Sequence, residues 1–481
     1  MIRYLKTLSI PLLALLLVLT AMIPLASAKV PEYNGGIMDE YEYEEVFFLT
    51  GYPIKFTGKA TVTEKENKDI LTSTYKFNLV SNTGDKLTRS VVYVSDLTKH
   101  VVKGQTTSDR AVKSYSEKIT MTDKTTFTLD DYQFSQGSVI DNRPATDYYS
   151  GNIIARKIYL KNYKIEKDTI KEEITVHITG ENVGYQNFWG ATDTQFLDYE
   201  IVTPSGTAFI TNKTSDSKSR ELKYETHLPS LSSFVGGNSV VSSSDMISEY
   251  KYNIPHYAGS GTIKLSKQKS PTIERLIVPK FRDIAKHWSK PNIEKLYSLG
   301  ILDESSNFFS PDAAMKKDLF TIGVAKAVDL RVLEEKTTKK KTTKKPLFED
   351  LDVKDPNYGY IESALNKGIV TPKSKGQFGA NDSITRAEAV TIIVRSLGLE
   401  GRAPTPGYKT KFIDDLKIPK EAKDSIYIAS ELGLIDPDKK NRINANEVLS
   451  RGKASQLLVR YLNFLESDLK QNYRDDMLYF N

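Results

Sequence analysis

The stretch ITRAEAV, residues 384–390, combines a helix start with a positive charge. Thr385 and Glu388 have the spacing of a capping box, in which the hydroxyl accepts a hydrogen bond from the third helical amide and the carboxylate accepts one from the cap amide. We therefore predict a structural role for these two residues, and a cap of this kind contributes about 1 kcal/mol to stability.

Arg386 is not needed for that cap. A cation beside the positive end of a helix dipole is mildly unfavourable, so its position suggests a second use. Free amides at a helix start bind anions, and a guanidinium binds a carboxylate through two parallel hydrogen bonds. We therefore favour contact between Arg386 and an anionic ligand over a solvated surface position.

Two other stretches are imperfect copies of this one. MKKDLF (315–320) keeps the cation as Lys317, but it lacks both the cap hydroxyl and the glutamate. LSRGKAS (449–455) keeps Arg451 and a cap hydroxyl, Ser450, but Lys453 replaces the glutamate. Because lysine lacks the bidentate fork of arginine, we expect the Arg386 site to be the strongest and the Lys317 site the weakest.

Aspartate and tryptophan residues nearby are suited to binding carbohydrate. Three Phe-x-Asp triplets contain Asp283, Asp350 and Asp414. These carboxylates either orient sugar hydroxyls or cap the following turn, and both interpretations stay open. Trp288 follows the first triplet and has a ring able to stack on a sugar face, although core packing is the commoner use of tryptophan.

The same spacing organises the C-terminal half of the chain. Each triplet is followed by apolar residues at helical spacing, a glycine (residues 300, 368 and 433), a loop and a second helix that begins at the cation. Three copies in one frame predict three helix–loop–helix units that pack around a shared core.

The preceding region has a different periodicity. Segments such as EEITVHIT (172–179) and FLDYEIVT (196–203) alternate apolar and polar residues and are rich in Val, Ile, Thr and Tyr. This pattern predicts an all-β, antiparallel, sandwich-like region over residues 29–270, as one large sandwich or two small ones.

The N-terminus and the composition indicate where the protein works. Arg3 and Lys6 precede the apolar run 8–23 and an Ala-Ser-Ala sequence at 26–28, which predicts a cleaved signal peptide over residues 1–28 rather than an uncleaved anchor. There is no cysteine, and the net charge of +6 is too small to indicate nucleic-acid binding. We expect a secreted protein without a membrane span after cleavage.

The C-terminal motifs resemble the S-layer homology domain. FRDI (281–284) followed by HW (287–288), and GQFGANDSITRAEAV (376–390), carry this resemblance. It implies three tandem repeats around a central helical bundle, which bind a pyruvylated secondary polysaccharide of the bacterial cell wall without a covalent bond. The predicted polysaccharide-binding residues are Arg386, Arg451, Lys317, Asp283, Asp350, Asp414 and Trp288, and the predicted helix-capping residues are Thr385, Glu388 and Ser450.

The domain prediction follows from these patterns. Repeats are expected at residues 279–333, 347–399 and 411–466, with linkers at 334–346 and 400–410 and a C-terminal tail at 467–481.

The expected function is a surface-layer or surface-layer-associated protein that displays a β-rich structural or adhesive module and contacts other surface-layer subunits. The alternative is an anchored extracellular enzyme that acts on polysaccharide through the β-rich region. Since no catalytic or metal-binding motif is recognisable, we predict no enzyme activity, no cofactor and no metal.

Overall fold

The structure is a computed structural model. It describes residues 35–100, 104–166, 168–225, 237–255, 257–278, 281–303, 306–328, 346–404 and 407–468. The predicted signal peptide (1–28), nearly all of the linker 334–346 and most of the tail 467–481 lie outside the described residues. Among the described residues, no helix is long and apolar enough to cross a membrane.

In the described residues, the first domain, here called the β domain, is one antiparallel sheet of 13 strands that pair in chain order. The strands are β1 Ile37–Asp39, β2 Glu42–Phe47, β3 Ile54–Asn67, β4 Ile70–Ser81, β5 Lys86–His100, β6 Gln105–Thr120, β7 Thr126–Asn142, β8 Asp147–Ile165, β9 Asp168–Gln186, β10 Gly190–Thr203, β11 Gly206–Glu225, β12 Gly237–Ile254 and β13 Gly259–Arg275.

The alternating sequence pattern places one face of each strand inside. In β4, for example, Tyr75, Phe77 and Leu79 are buried while the residues between them are exposed. The sheet curls until its ends meet: Lys267 and Lys269 of β13 bind Asp39 of β1 at 3.1 and 2.5 Å. The result is a nearly closed, barrel-like sheet.

The prediction of an antiparallel all-β region is confirmed, but the sandwich arrangement is not observed. The strands form one continuous sheet because consecutive strands pair throughout, so no strand crosses to a second sheet. The closure follows from the twist that adjacent strands accumulate over a sheet of this width.

A cluster of buried ions lies inside the β domain. Arg89 donates two hydrogen bonds to Glu45, each 2.9 Å long, and two to Glu117 at 2.9 and 3.1 Å. Lys157 lies 3.6 Å from Glu117. Burial would raise the pKa of Glu117, but Arg89 and Lys157 outweigh it and lower that pKa to about 2. The charges are therefore compensated within the sheet interior.

The second domain is helical. Its α-helices in the described residues are α1 Lys290–Ser298, α2 Lys317–Ala327, α3 Tyr358–Asn366, α4 Arg386–Ser396, α5 Lys420–Glu431 and α6 Arg451–Asn463, followed by a π-helical turn at Phe464–Asp468. They form three helix pairs, and the first helix of each pair leads into a glycine with positive φ at 300, 368 or 433. Glycine is suited to this position because it adopts the left-handed conformation without steric cost.

A ring of backbone hydrogen bonds joins the three helix pairs. The amide of Met315 donates to Leu449 O at 2.8 Å, that of Leu449 donates to Ile384 O at 3.0 Å, and that of Ile384 donates to Met315 O at 2.9 Å. Each residue lies just before the second helix of its pair. The three helix starts therefore meet around a common axis, and buried residues from all three pairs belong to one apolar core.

The β domain packs on the helices through one of its two ends. Trp189, in the β9–β10 turn, is buried in the apolar core of the helical domain, as is Ala145 of the β7–β8 turn. The amide of Leu222 in β11 donates to Glu466 Oε1 at 3.0 Å. Since successive connections of an antiparallel sheet alternate between its ends, the β2–β3, β8–β9, β10–β11 and β12–β13 connections lie at the opposite end.

Candidate functional site

The start of α4 has the capping box expected from its sequence. Thr385 Oγ accepts a hydrogen bond from the Glu388 amide at 3.3 Å, and Glu388 Oε2 accepts from the Thr385 amide at 2.8 Å. Ser450 caps α6 through the Lys453 amide at 3.3 Å, whereas Lys316 gives α2 no side-chain cap. Capping therefore differs among the three helix starts although the backbone arrangement is shared.

The first amides of these helices are not free. Those of Arg386 and Ala387 donate to the carbonyls of Glu447 and Ala445, at 2.8 and 2.9 Å. The amides at the starts of α2 and α6 are bonded in the same way to carbonyls of a neighbouring pair. The expectation that an anion meets free amides beside Arg386 is therefore wrong, because the neighbouring pair contributes a loop that occupies them.

The three cations reach across to a neighbouring helix pair. Arg386 Nη2 donates to Asp436 O at 2.8 Å, and Lys317 Nζ donates to Thr371 O and Phe378 O at 2.9 and 3.0 Å. The Arg451 guanidinium lies 4.4 Å from the centre of the Phe309 ring. Burial lowers the pKa of Arg386 and of Lys317. Arg386 nevertheless stays charged, since an arginine side chain does not lose its proton in proteins.

The Phe-x-Asp aspartates hold loops in place. Asp350 accepts from the amides of Phe378, Gly379 and Ala380 at 2.8, 2.7 and 2.9 Å. Burial alone would raise the pKa of Asp350, but these backbone donors outweigh it and lower the pKa. Asp283 and Asp414 accept in the same way from two amides each. The amides belong to loops 26 to 30 residues downstream and not to the following turn.

A groove lies on the outer side of Arg386. The Arg386 groove is a cavity of about 330 Å³, which is within the usual range of ligand sites. The side chains with stacking or hydrogen-bonding capacity that line it are Trp288, Arg386, Lys453, Gln456 and Arg460. They come from all three helix pairs, so the site exists only in the assembled domain.

Trp288 has an unexpected environment. Its side chain is 53% exposed and lies beside His287, with the ring centres 5.4 Å apart. The preference for core packing is therefore wrong. An exposed indole beside cations has a ring face available for stacking.

Two equivalent grooves differ in their chemistry. The Lys317 groove, about 530 Å³, has Glu388, Thr391 and Arg395 at the helix positions of Lys453, Gln456 and Arg460. The groove beside Arg451 is only about 30 Å³, and Leu319 and Ile322 contribute to its lining. Among the grooves of the described residues, the Arg386 groove therefore has the highest net positive charge, together with an exposed aromatic ring.

Sequence reasoning overlooked three lining residues. It treated Lys453 only as the loss of a capping glutamate and gave Gln456 and Arg460 no role. Their spacing of three and four residues places them on one face of α6, and this periodicity was the available signal. The grooves are built between units, so the sequence of a single unit does not show a complete lining.

The comparison with protein families assigns part of the helical domain. Residues 280–318 and 347–390 match the family model of the S-layer homology domain. These two segments are S-layer homology domains. The match does not extend to a separate third segment. S-layer homology domains bind cell-wall polysaccharide, so these domains indicate anchoring at the cell surface.

Three curated proteins share similarity with the chain. An endoglucanase of Bacillus sp. (strain KSM-635) is 30% identical over 159 residues, an exoglucanase of Acetivibrio thermocellus 26% over 208, and an amylopullulanase of Thermoanaerobacterium thermosulfurigenes 24% over 294. The matches cover 32%, 42% and 61% of this chain, but only 16%, 18% and 14% of the relatives. The chain thus matches less than a fifth of the length of each relative.

These relatives correct one prediction from the sequence. We predicted that the protein is not an enzyme, but all three similar proteins are named as enzymes. The missing motifs are weak evidence, because catalytic carboxylates of glycosidases are brought together by the fold and have no fixed spacing in sequence.

Proposed function

We propose that all three helix pairs are S-layer homology repeats, and that they attach a secreted protein without a covalent bond to a pyruvylated secondary cell-wall polysaccharide. The Arg386 groove carries this proposal. It is the place where a guanidinium, two further cations and an exposed indole line one cavity of sugar-binding size.

The groove matches the chemistry of a ketal-linked carboxylate on a sugar. The Arg386 guanidinium binds the carboxylate, and the Trp288 ring stacks on the apolar face of the pyranose. Lys453 and Arg460 are paired with Glu447 and Asp436 at the surface. Each exposed ion pair of this kind contributes roughly 1 kcal/mol or less to stability. An anionic polymer therefore readily replaces Glu447 and Asp436 as the partner of Lys453 and Arg460. Lys317 and Arg451 have weaker roles in the two other grooves, and Asp283, Asp350 and Asp414 support the loops around them.

Binding of the full chain to purified cell-wall sacculi tests this proposal. Arg386→Ala should weaken binding about tenfold or more, since a hydrogen bond to a charged group contributes roughly 1.5–3 kcal/mol. Trp288→Ala should also weaken binding, since it removes the ring that stacks on the sugar. Lys317→Ala should have a smaller effect, and Arg402→Ala, an exposed arginine outside the grooves, should have none.

Chemical removal of the pyruvyl ketal should reduce wild-type binding to the level of Arg386→Ala. Unchanged binding after this treatment would exclude the carboxylate as the ligand. A larger loss for Lys317→Ala than for Arg386→Ala would show that the other groove is the main site.

The relatives favour a second candidate function, which is cleavage of polysaccharide by the β domain. Glycosidases use two carboxyl groups, one protonated and one ionised. The Glu45 and Glu117 carboxylates lie close together, but Arg89 binds both of them. The adjoining cavity of about 60 Å³ holds only a few water molecules. This pair is therefore closed to a sugar.

A second pair of carboxylates, which is also enclosed, includes one group whose protonated form is favoured by burial. Asp193 of β10 and Asp216 of β11 are direct cross-strand partners, and both are more than nine-tenths buried. Cβ atoms of such partners lie roughly 4.5–5.5 Å apart. Burial raises the pKa of Asp216, which favours its protonated form. We propose Asp216 as the acid of this candidate activity.

Release of reducing sugar from glucans and pullulan by the full chain tests the second function. Asp216→Asn and Asp193→Asn should abolish it, whereas Asp198→Asn, on the outer face of β10, should not. No hydrolysis by the wild-type protein would exclude this function, and full activity of both buried variants would exclude this pair as the catalytic residues.

A further inference from the structure

Two exposed tyrosines lie at the end of the β domain opposite the helices. Tyr52, between β2 and β3, is 55% exposed, and Tyr257, between β12 and β13, is 44% exposed. Their ring centres are 6.0 Å apart and the rings are nearly perpendicular, at 82°. The two rings therefore form an open aromatic corner.

The surrounding backbone fixes both rings. Gly51 has a φ of +85°, and a Cβ atom there would lie 2.8 Å from Cγ of Tyr257, so the Tyr257 ring packs directly on the glycine. The Ala258 amide donates to Gly51 O at 3.3 Å and joins the two connections. Thr50 Oγ bonds both the carbonyl and the amide of Tyr52, at 2.8 and 3.3 Å. Because the aromatic corner is preorganised, a ligand loses little free energy in ordering it.

A polar group of side chains adjoins the aromatic corner. Glu172 accepts from Lys161 Nζ at 2.9 Å and from the Tyr163 hydroxyl at 2.8 Å. The hydrogen bond from Lys161 lowers the pKa of Glu172, so both groups are charged and offset one another. A cavity of about 40 Å³ between them and Tyr257 also has Thr203 and Ser205 in its lining. The site thus offers hydrogen-bond donors and acceptors without net charge.

We propose that this surface, formed by Tyr52, Tyr257, Lys161, Tyr163 and Glu172, is a binding site for an uncharged saccharide chain. A pyranose ring has apolar C–H faces that stack on aromatic rings and hydroxyls that bond with an offset charge pair. The absence of net charge here contrasts with the cationic Arg386 groove, so a neutral glycan fits this surface better than the anionic wall polymer.

The position of the site adds a second consequence. It lies at the end of the sheet remote from Trp189 and the helical domain. A protein held at the wall by its helical grooves would therefore present this site away from the anchor. The proposal does not depend on the anchoring function, because none of its residues lines a helical groove.

Calorimetric titration of the full-length protein with cellohexaose and with maltohexaose tests the proposal. Tyr52→Ala and Tyr257→Ala should weaken binding of at least one of them fivefold or more, and Tyr257→Phe should retain binding because the stacking face remains. Tyr224→Ala is the matched control, since Tyr224 is also an exposed tyrosine but lies near the opposite end of β11. Arg386→Ala should leave this binding unchanged, which separates the site from the anchor.

Three results would overturn the proposal. The first is no binding of either oligosaccharide by the wild-type protein. The second is equal binding by Tyr52→Ala, Tyr224→Ala and the wild type. The third is concentration-dependent self-association that Tyr52→Ala abolishes, because that result would assign the surface to contact between copies of this chain.

Discussion

Glu388 and Lys453 occupy the same position in α4 and α6, and they give two equivalent grooves different charge. Glu388 also completes a capping box, whereas the Lys453 side chain extends to Glu447. A single helix position can thus serve either the stability of the helix or the charge of the groove. Glu388, which completes the capping box of α4, contributes one negative charge to the Lys317 groove.

Reversing the charge of Lys453 tests its contribution to the Arg386 groove. Lys453→Glu should weaken binding to sacculi several-fold at low salt, since it places a carboxylate beside an anionic ligand, and the effect should shrink at high salt as charges are screened. Binding isotherms at two ionic strengths measure this. Lys439→Glu, with the same charge change at an exposed position outside the grooves, is the control, and equal losses for both variants would indicate a general effect of net charge.

The buried carboxylate Glu117 predicts a pH dependence of stability. Its pKa falls from an ordinary value of 4.5 to about 2 in the folded protein. A lowered folded-state pKa means that its stabilisation is complete above pH 4.5 and is lost as the pH falls towards 2. Denaturant unfolding of the wild type between these pH values should show falling stability, and Glu117→Gln should be less stable at neutral pH with a flatter profile. A wild-type profile that stays flat would contradict this assignment.

Residue-level inference from the sequence succeeded where the interaction is local. The Thr385–Glu388 spacing specifies a box whose partners are three residues apart, so the sequence alone predicts it. Trp288 and the amide of Arg386 were judged wrongly, because their surroundings come from segments far along the chain. Glu447, which accepts from the Arg386 amide, belongs to the third helix pair.

At the level of elements, the loops after the first helices depend on the Phe-x-Asp carboxylates. Asp350→Ala removes the acceptor of three amides, and buried donors left without partners cost roughly 1–3 kcal/mol each. We expect a clear loss of thermal stability in the helical domain and faster proteolysis at residues 376–380. Asp350→Asn should be intermediate because an amide oxygen still accepts.

The control for that experiment is Asp312→Ala, which changes a strongly exposed aspartate. It should shift the melting temperature little. Equal shifts for Asp312→Ala and Asp350→Ala would show that the carboxylate of Asp350 does not hold its loop.

Periodicity predicts the type of each element better than its arrangement. Alternation in segments such as 74–81 indicates strands, and the structure has β4 there. Closure of the sheet depends on accumulated twist and on the contact between β1 and β13, which lie more than 200 residues apart, as in the Lys267–Asp39 pair. No local pattern encodes that contact, so the sequence was as compatible with a sandwich as with a single closed sheet.

At the scale of the whole molecule, Trp189 joins the two domains. It belongs to the β9–β10 turn, yet it is buried in the apolar core of the helical domain. Trp189→Ala should cost roughly 3–5 kcal/mol and separate the unfolding of the two domains into two calorimetric transitions. Phe209→Ala, an exposed aromatic in β11, should leave the transition unchanged. A single unshifted transition for Trp189→Ala would show that the domains are not coupled through this residue.

The ring of bonds among Met315, Ile384 and Leu449 has a consequence for the integrity of the helical domain. Each residue donates to one neighbour and accepts from the other, so the cycle links all three helix pairs. Removal of one helix pair would leave one amide and one carbonyl without a partner at the centre. Truncation by one helix pair therefore affects the folding of the remaining two as well as the lining of the grooves.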